Sequence, residues 1–261
     1  MNIIISVYTP NIVFGFGDYI RGIMFLKQTQ PSMKVIADYN SHSISKYLFN
    51  NENNTDCINY SKIKIVDLTS FKQEDAIKVI NELQKPCAVY INVPIIGTTI
   101  SEEIRNQMLS TFSMKESFKN LFLKTLNDYN LINQKFVVLH IRLDDNYFNP
   151  NLDLPTFSFL DEYIVNHIVP EWSKNVLVLS NSYKFRQTIC KKYNFKQYDF
   201  IPVHLGKIQL SEQNIENTLI EFFTISKAAK IYQFNELHWQ TSGFSKRVSE
   251  MYGIEFIRIG D

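Results

Sequence analysis

The chain has only three cysteines in 261 residues, Cys57, Cys87 and Cys190. They lie far apart and form no paired motif, which argues against a disulfide framework or a zinc site and fits three reduced thiols. Charge of one sign is also lacking, since 27 basic and 26 acidic residues leave a net charge of +1. A surface that tracks nucleic-acid phosphates carries a basic excess, so nucleic acid is not an expected partner. No segment approaches the roughly 18–20 uninterrupted apolar residues of a membrane span. The opening Met1–Tyr8 has no basic region and no small-residue cleavage site, and reads as a strand. The expected location is therefore cytoplasmic. Several catalytic signatures are missing too. His42, His167, His204 and His238 show no metal-ligand spacing. There is no Gly-x-Ser-x-Gly elbow, no phosphate-binding Gly-Lys-Ser/Thr loop and no Asp-x-Asp pair. Asp144 and Asp145 are adjacent and would face opposite sides of an extended chain, so no metal and no cofactor is expected.

What is present is ample material for packed cores: 45% of residues are hydrophobic and 14% aromatic, with 20 Phe and 14 Tyr. The length exceeds one usual core, so two domains of roughly 100–150 residues are expected. Apolar β-rich runs at Asn2–Tyr8, Lys34–Asp38, Lys62–Asp67 and Ala88–Val93 alternate with helical patterns near Asp18–Gln28, His42–Phe49 and Gln73–Gln84. Glu102–Tyr129 reads as one or two helices. The alternation then restarts with strands Lys135–Arg142, Asn175–Leu179, Phe200–His204, Lys230–Gln233 and Ile254–Ile257. Helices are expected between them near Phe157–Val169, Tyr183–Lys192, Ile215–Ala229 and Ser242–Met251. Such alternation builds parallel sheets. The expected fold is α/β, two Rossmann-like domains facing a cleft, residues 1–132 and 133–261. The polar run Asn50–Asn54 is an exposed loop without functional signal.

Ligands of such sheets bind outside the carboxyl ends of the strands, so residues just after strands carry the most functional weight. The first such stretch is Gly15-Phe16-Gly17-Asp18-Tyr19-Ile20-Arg21-Gly22. Its glycines allow positive φ and close backbone approach, and the opening helix offers N–H groups and a dipole to an anion. Ile20 stands where a dinucleotide fingerprint needs its third Gly. The stretch is either a plain tight turn with Asp18 capping the helix, or an anion site to which Arg21 adds a guanidinium. In the second stretch, Phe136–Asp145, His140 and Arg142 interrupt an otherwise apolar buried strand at its carboxyl end and point to the same side. Arg142 either pairs with Asp144 or Asp145, or stabilises a diphosphate leaving group. The third, Ser180-Asn181-Ser182, caps the next helix and reads mainly as structural. The fourth, Thr241-Ser242-Gly243-Phe244-Ser245, offers a second anion-binding helix start, with Phe244 free to pack or stack.

Taken in order, these pieces resemble the fucosyltransferase superfamily that includes the α1,2-, α1,6- and protein O-fucosyltransferases and the nodulation fucosyltransferases. The similar motifs are the early Gly15-Phe16-Gly17-Asp18 turn, the strand ending His140-Ile141-Arg142 and the Ser180-Asn181-Ser182 turn. Glu221 on a helix, the short strand Lys230–Gln233 and the Ser242-Gly243-Phe244-Ser245 turn complete the set. The resemblance implies a GT-B fold and an inverting, metal-independent transfer of fucose from GDP-fucose to a glycan or other hydroxyl acceptor. It implies that Arg142 binds the β-phosphate, that His140 lies near the nucleotide, that Glu221 reads the guanine edge and that the Ser242 turn holds the phosphates. Without that role Glu221 would be an exposed helical residue pairing with a Lys. Asp145 and then Asp18 are the candidates for general base. The chain departs from the pattern in having Leu143-Asp144 after the His-x-Arg, Glu rather than Asp at 221, and an apparent insertion at Asn235–Gln240. These departures keep open a different nucleotide sugar, or a binding protein of the same fold without turnover.

Overall fold

The structure is a computed structural model and describes residues 2–10, 12, 14–49, 63–93, 99–149, 151–200, 203, 205, 210–236 and 243–260. The chain divides into two compact units, Met1–Phe118 with Leu205–Leu210, and Lys119–His204 with Ser211–Asp261.

Unit 1 contains β1 (Ile3–Val7), α1 (Phe16–Thr29), β2 (Lys34–Asp38), β3 (Leu48–Phe49), β4 (Ile65–Asp67), α2 (Gln73–Glu82), β5 (Cys87–Tyr90), α3 (Glu102–Thr111) and β6 (Ser113–Met114). Its main sheet has the order β2-β1-β5-β4 and is parallel throughout, while β3 and β6 form a small antiparallel pair. Every residue of β1 is buried, as a central parallel strand covered on both faces requires. Helix α1 lies close against the end of β5: a Cβ placed on Gly22 would sit 2.0 Å from the Ile91 carbonyl oxygen. The obstacle is backbone and cannot swing aside. Gly22→Ala is therefore expected to destabilise the chain by about 1–3 kcal/mol through overpacking, read as a lower Tm; an unchanged Tm would mean that α1 is not seated this tightly.

Helix α4 (Glu116–Asp128) spans the division. Phe118 meets Tyr47 edge-on within unit 1, and Phe122 meets Phe223 within unit 2. The sequence boundary at residue 132 marks the end of this helical region, whereas the packing divides inside it.

Unit 2 continues with β7 (Val137–Arg142), α5 (Ser158–Tyr163), α6 (Val169–Trp172), β8 (Val176–Ser180), α7 (Tyr183–Tyr193), α8 (Glu212–Ile225), β9 (Lys230–Asn235), α9 (Gly243–Tyr252) and β10 (Glu255–Ile259). Its sheet is parallel, in the order β10-β9-β7-β8. Side chains alternate across it. Val137, Leu139 and Ile141 of β7 and Tyr232 and Phe234 of β9 join a core with Leu160, Ile164, Ile168, Phe185 and Ile189. The alternate residues, His140 and Gln233 among them, are on the opposite face.

The structure corrects two expected elements. The helix expected over His42–Phe49 is a single 3-10 turn, Ser43–Lys46, capped by the His42 ring, which accepts from Ile44 N at 3.2 Å and leads into β3. Of the strand expected at Phe200–His204, the described residues Phe200 and Val203 are in no strand; the others lie outside the described residues. The edge of β8 is met instead by a lone parallel bridge between Leu177 and Lys196. The loop Asn50–Asn54 also lies outside the described residues. Among the described residues no helix is long and apolar enough to cross a membrane.

Candidate functional site

Where neighbouring strands run on to opposite sides, a parallel α/β sheet opens a crevice. In unit 2 it falls between β7 and β9. Register pairs His140 with Gln233, and Arg142 with Asn235. Pairing two residues in register puts both side chains on one face, and a helix start closes over them. Ser245, in the first turn of α9, is fully buried, with its Oγ 2.7 Å from His140 Nδ1 and 2.9 Å from Gln233 Nε2. Phe244 lies beside the group, its ring 6.2 Å from that of His140 and 5.6 Å from Phe222. Burial, with the neighbouring Arg142 adding to it, pushes the His140 imidazole down to about 3. The ring is neutral at physiological pH and acts here as a polar group, not as a cation.

Arg142 ends β7 with its side chain partly exposed. Nη1 donates to the Leu143 carbonyl at 2.7 Å, and Nη2 pairs with Asp145, whose own side chain is 70% exposed. Of the two sequence readings of Arg142, the ion pair is therefore present, with Asp145 and not Asp144 as partner. Asp144 instead caps the next turn, accepting from Asn146 N at 2.9 Å.

The loop that follows Arg142 is fastened on both sides. Asn181 accepts from Leu143 N at 2.8 Å and donates to the carbonyls of Leu143 and Asp144 at 3.0 and 3.2 Å. Glu236 accepts from Asp144 N at 2.8 Å and donates its own N–H to the Arg142 carbonyl at 3.0 Å. Ser180 accepts from Ser182 N, and Ser182 caps α7 by accepting from Phe185 N. The Ser180–Ser182 turn is thus a helix cap that also clamps the β7 loop. Two helix N-termini, α7 and α9, and one guanidinium are carried by this end of the sheet, and neither helix has an acidic residue in its first turn. The arrangement suits an anion.

Glu221 is neither exposed nor paired with a lysine. It is 7% exposed, and its Oε1 accepts from Nη1 of Arg186 at 3.0 Å. Arg186 has no solvent exposure, donates through Nη2 to the Phe200 carbonyl, and lies over the rings of Tyr183 and Phe200 at 5.2 and 6.0 Å. Burial pushes the Glu221 carboxyl up to about 7, against the pull of the Arg186 charge.

In unit 1, β1 and β5 are the two central strands of the sheet. Gly15 is the N-cap of α1, with φ −76 and ψ 170 and no side-chain cap, and Gly17 is helical, so neither glycine uses a positive φ. Asp18 does not cap the helix; it pairs with Arg21 at 3.1 Å. Arg21 Nε donates to the Asn92 carbonyl at 2.6 Å, tying α1 to the segment after β5. Close backbone approach does occur in this stretch, but at Gly22. Of the fourth turn, Gly243, Phe244 and Ser245 open α9, while Thr241 and Ser242 lie outside the described residues.

No family model matches the chain, and no curated protein matches it by sequence. Solved structures do match. The NodZ α-1,6-fucosyltransferase soaked with GDP-fucose superposes with a TM-score of 0.58 at 10% identity, over 96% of this chain and 92% of that one. POFUT1 in complex with GDP-fucose gives 0.52 at 11% identity over 99% and 98% of the two chains. The chain has a fucosyltransferase-like fold. A variant of Arabidopsis thaliana FUT1 in complex with GDP gives a TM-score of 0.52 at 11% identity, over 98% of this chain and 70% of that one. At these identities the likeness lies in the fucosyltransferase-like backbone, and roles for individual residues must come from the site itself.

Four residues of the site are absent from the sequence expectations: Gln233, Glu236, Arg186 and, in its clamping role, Asn181. Gln233 and Glu236 follow from the β7–β9 register, which one strand's pattern does not carry. Arg186 had a local signal. It shares the buried stripe of α7 with Phe185, Ile189 and Cys190, where a charge requires a partner.

Proposed function

We propose that the chain is an inverting, metal-independent glycosyltransferase of the two-domain GT-B kind that moves L-fucose from GDP-fucose to a hydroxyl acceptor in the cytoplasm. The observation that carries the reading is the grouping of Arg142, His140, Gln233 and Ser245 at the β7–β9 crossing of a fucosyltransferase-like fold. The acceptor oxygen attacks the anomeric carbon, the bond from that carbon to the β-phosphate oxygen breaks, and GDP departs with the electron pair. Arg142 and the α9 N-terminus stabilise the charge that gathers on the leaving diphosphate. Neutral His140, fixed by Ser245, lines the nucleotide side without adding charge. When Arg142 turns from Asp145 to the diphosphate, the exposed Asp145 carboxylate is released to take the acceptor proton; Asp18 is the second candidate for that role. Gly15, Gly17 and Arg21 form the acceptor-side turn of unit 1.

Metal independence is supported by where the carboxylates go: Asp144 caps a turn and Asp145 pairs with Arg142. EDTA is accordingly expected to leave turnover intact, and loss of turnover restored by Mn²⁺ would assign Asp144 and Asp145 as ligands instead. The function is tested by incubation with GDP-fucose, GDP-mannose and UDP-sugars, scoring both donor hydrolysis and thermal shift. Hydrolysis and stabilisation that favour GDP-fucose are expected. Preference for another donor would reassign the sugar, and stabilisation without hydrolysis, with acceptors supplied, would make the chain a binding protein.

A further inference from the structure

We propose that Arg186 is a positioning residue that sets base specificity: by gripping Oε1 of Glu221 it aims that carboxylate and favours its accepting form toward a guanine edge. The inference rests on the proposed role of Glu221 as the base contact. Guanine presents N–H donors at N1 and N2. An ionised carboxylate accepts both, whereas a protonated one sets its own O–H against them.

The geometry supplies the rest. Arg186 is wholly enclosed, and its guanidinium is directed by four contacts, to Glu221, to the Phe200 carbonyl and to the rings of Tyr183 and Phe200. It reaches Glu221 from α7 while Glu221 stands on α8, so two helices fix the carboxylate's direction. Among the described residues Arg186 is the only hydrogen-bond partner of the Glu221 carboxyl group, and it takes Oε1. A carboxylate has about four acceptor positions, so Oε2 and a lone pair of Oε1 remain for a ligand. Asn217 and Thr218, one turn earlier on α8, are also buried and polar, and extend the same face.

Burial opposes the ionised form of Glu221 and Arg186 favours it. Three neighbouring titratable groups do not compete. Tyr198, bonded to Thr224, and Tyr129, bonded to Asp199, are held above the usual tyrosine range by burial, and the Cys190 thiol is pushed up to about 12 by the same cause. Near neutral pH they stay uncharged, and the cation in contact with Glu221 is Arg186.

A strap that merely joined α7 to α8 would affect stability without choosing between bases. Titration calorimetry with GDP and UDP on wild type, Glu221→Gln, Arg186→Gln and Arg186→Lys tells the two apart. At about pH 8, Arg186→Gln is expected to lose about tenfold or more in GDP affinity with UDP unchanged, as for loss of a charge-assisted hydrogen bond. It should recover part of that affinity as the pH is raised, because a carboxyl without its counter-charge ionises later. Arg186→Lys keeps the charge, is more readily accommodated, and is expected to retain preference for GDP. A folded Arg186→Gln with the wild-type GDP-to-UDP ratio overturns the inference; where Arg186→Gln does not fold, loss of GDP preference in Arg186→Lys with UDP binding intact does so. If Glu221→Gln itself binds GDP as wild type does, the base-reading role fails first and the inference falls with it.

Discussion

Arg142→Ala is expected to lower kcat/KM for GDP-fucose by roughly 30- to 1,000-fold, equivalent to about 2–4 kcal/mol of transition-state stabilisation, while the fold survives. Survival is expected because the side chain is partly exposed and its contacts include the Leu143 carbonyl and the mostly exposed Asp145 carboxylate. An exposed ion pair contributes little to stability, commonly below about 1 kcal/mol. The strand itself is held by Val137, Leu139 and Ile141, which stay buried in the core. A guanidinium facing a departing diphosphate is different, since it offers charge-assisted bonds where charge accumulates as the bond breaks. Steady-state kinetics beside a thermal melt separate the two effects. A folded Arg142→Ala with near-wild-type turnover would take the leaving-group role away from the β7 terminus.

Glu221→Gln is expected to weaken GDP by about tenfold or more and to leave UDP nearly unchanged, because the amide puts donors where the guanine edge needs acceptors. The pH dependence has a definite sign. With the carboxyl raised to about 7, the protonated form predominates below that pH and the accepting form above it. GDP affinity of the wild-type chain should therefore rise as pH increases through about 7, and UDP affinity should not follow it. The variant, with nothing to titrate at 221, should show no such rise. Calorimetry across this range decides the matter; an unchanged GDP affinity in Glu221→Gln would leave Glu221 as half of a buried ion pair and nothing more.

The fold was legible where one strand or helix announces itself. The apolar run of β7 and the polar break at its end, for example, could be read without neighbours, because burial on both faces fixes the composition of a central parallel strand. The division between units was not legible. Phe118 and Phe122 stand one turn apart on α4 with the same periodicity, yet one packs with Tyr47 and the other with Phe223. Nor was the one-turn segment after His42, where only Ile44 is buried and a ring nitrogen closes the turn. At the β7–β9 crossing, the residues at strand ends can be picked out in the sequence because position alone marks them. Their partners cannot, because Gln233 meets His140 through register, and Arg186 meets Glu221 through the packing of two helices. The glycines of the first turn misled for a related reason: a Gly allows positive φ but does not announce whether φ or space is the constraint, and in this chain the constraint is space at Gly22.

The most direct test of the central claim is a crystal structure of the chain with GDP. The account predicts the diphosphate on Arg142 and the α9 N-terminus, with Asp145 released and the guanine edge at Glu221. GDP bound away from the β7–β9 crossing, or bound there with Arg142 still on Asp145, would contradict it.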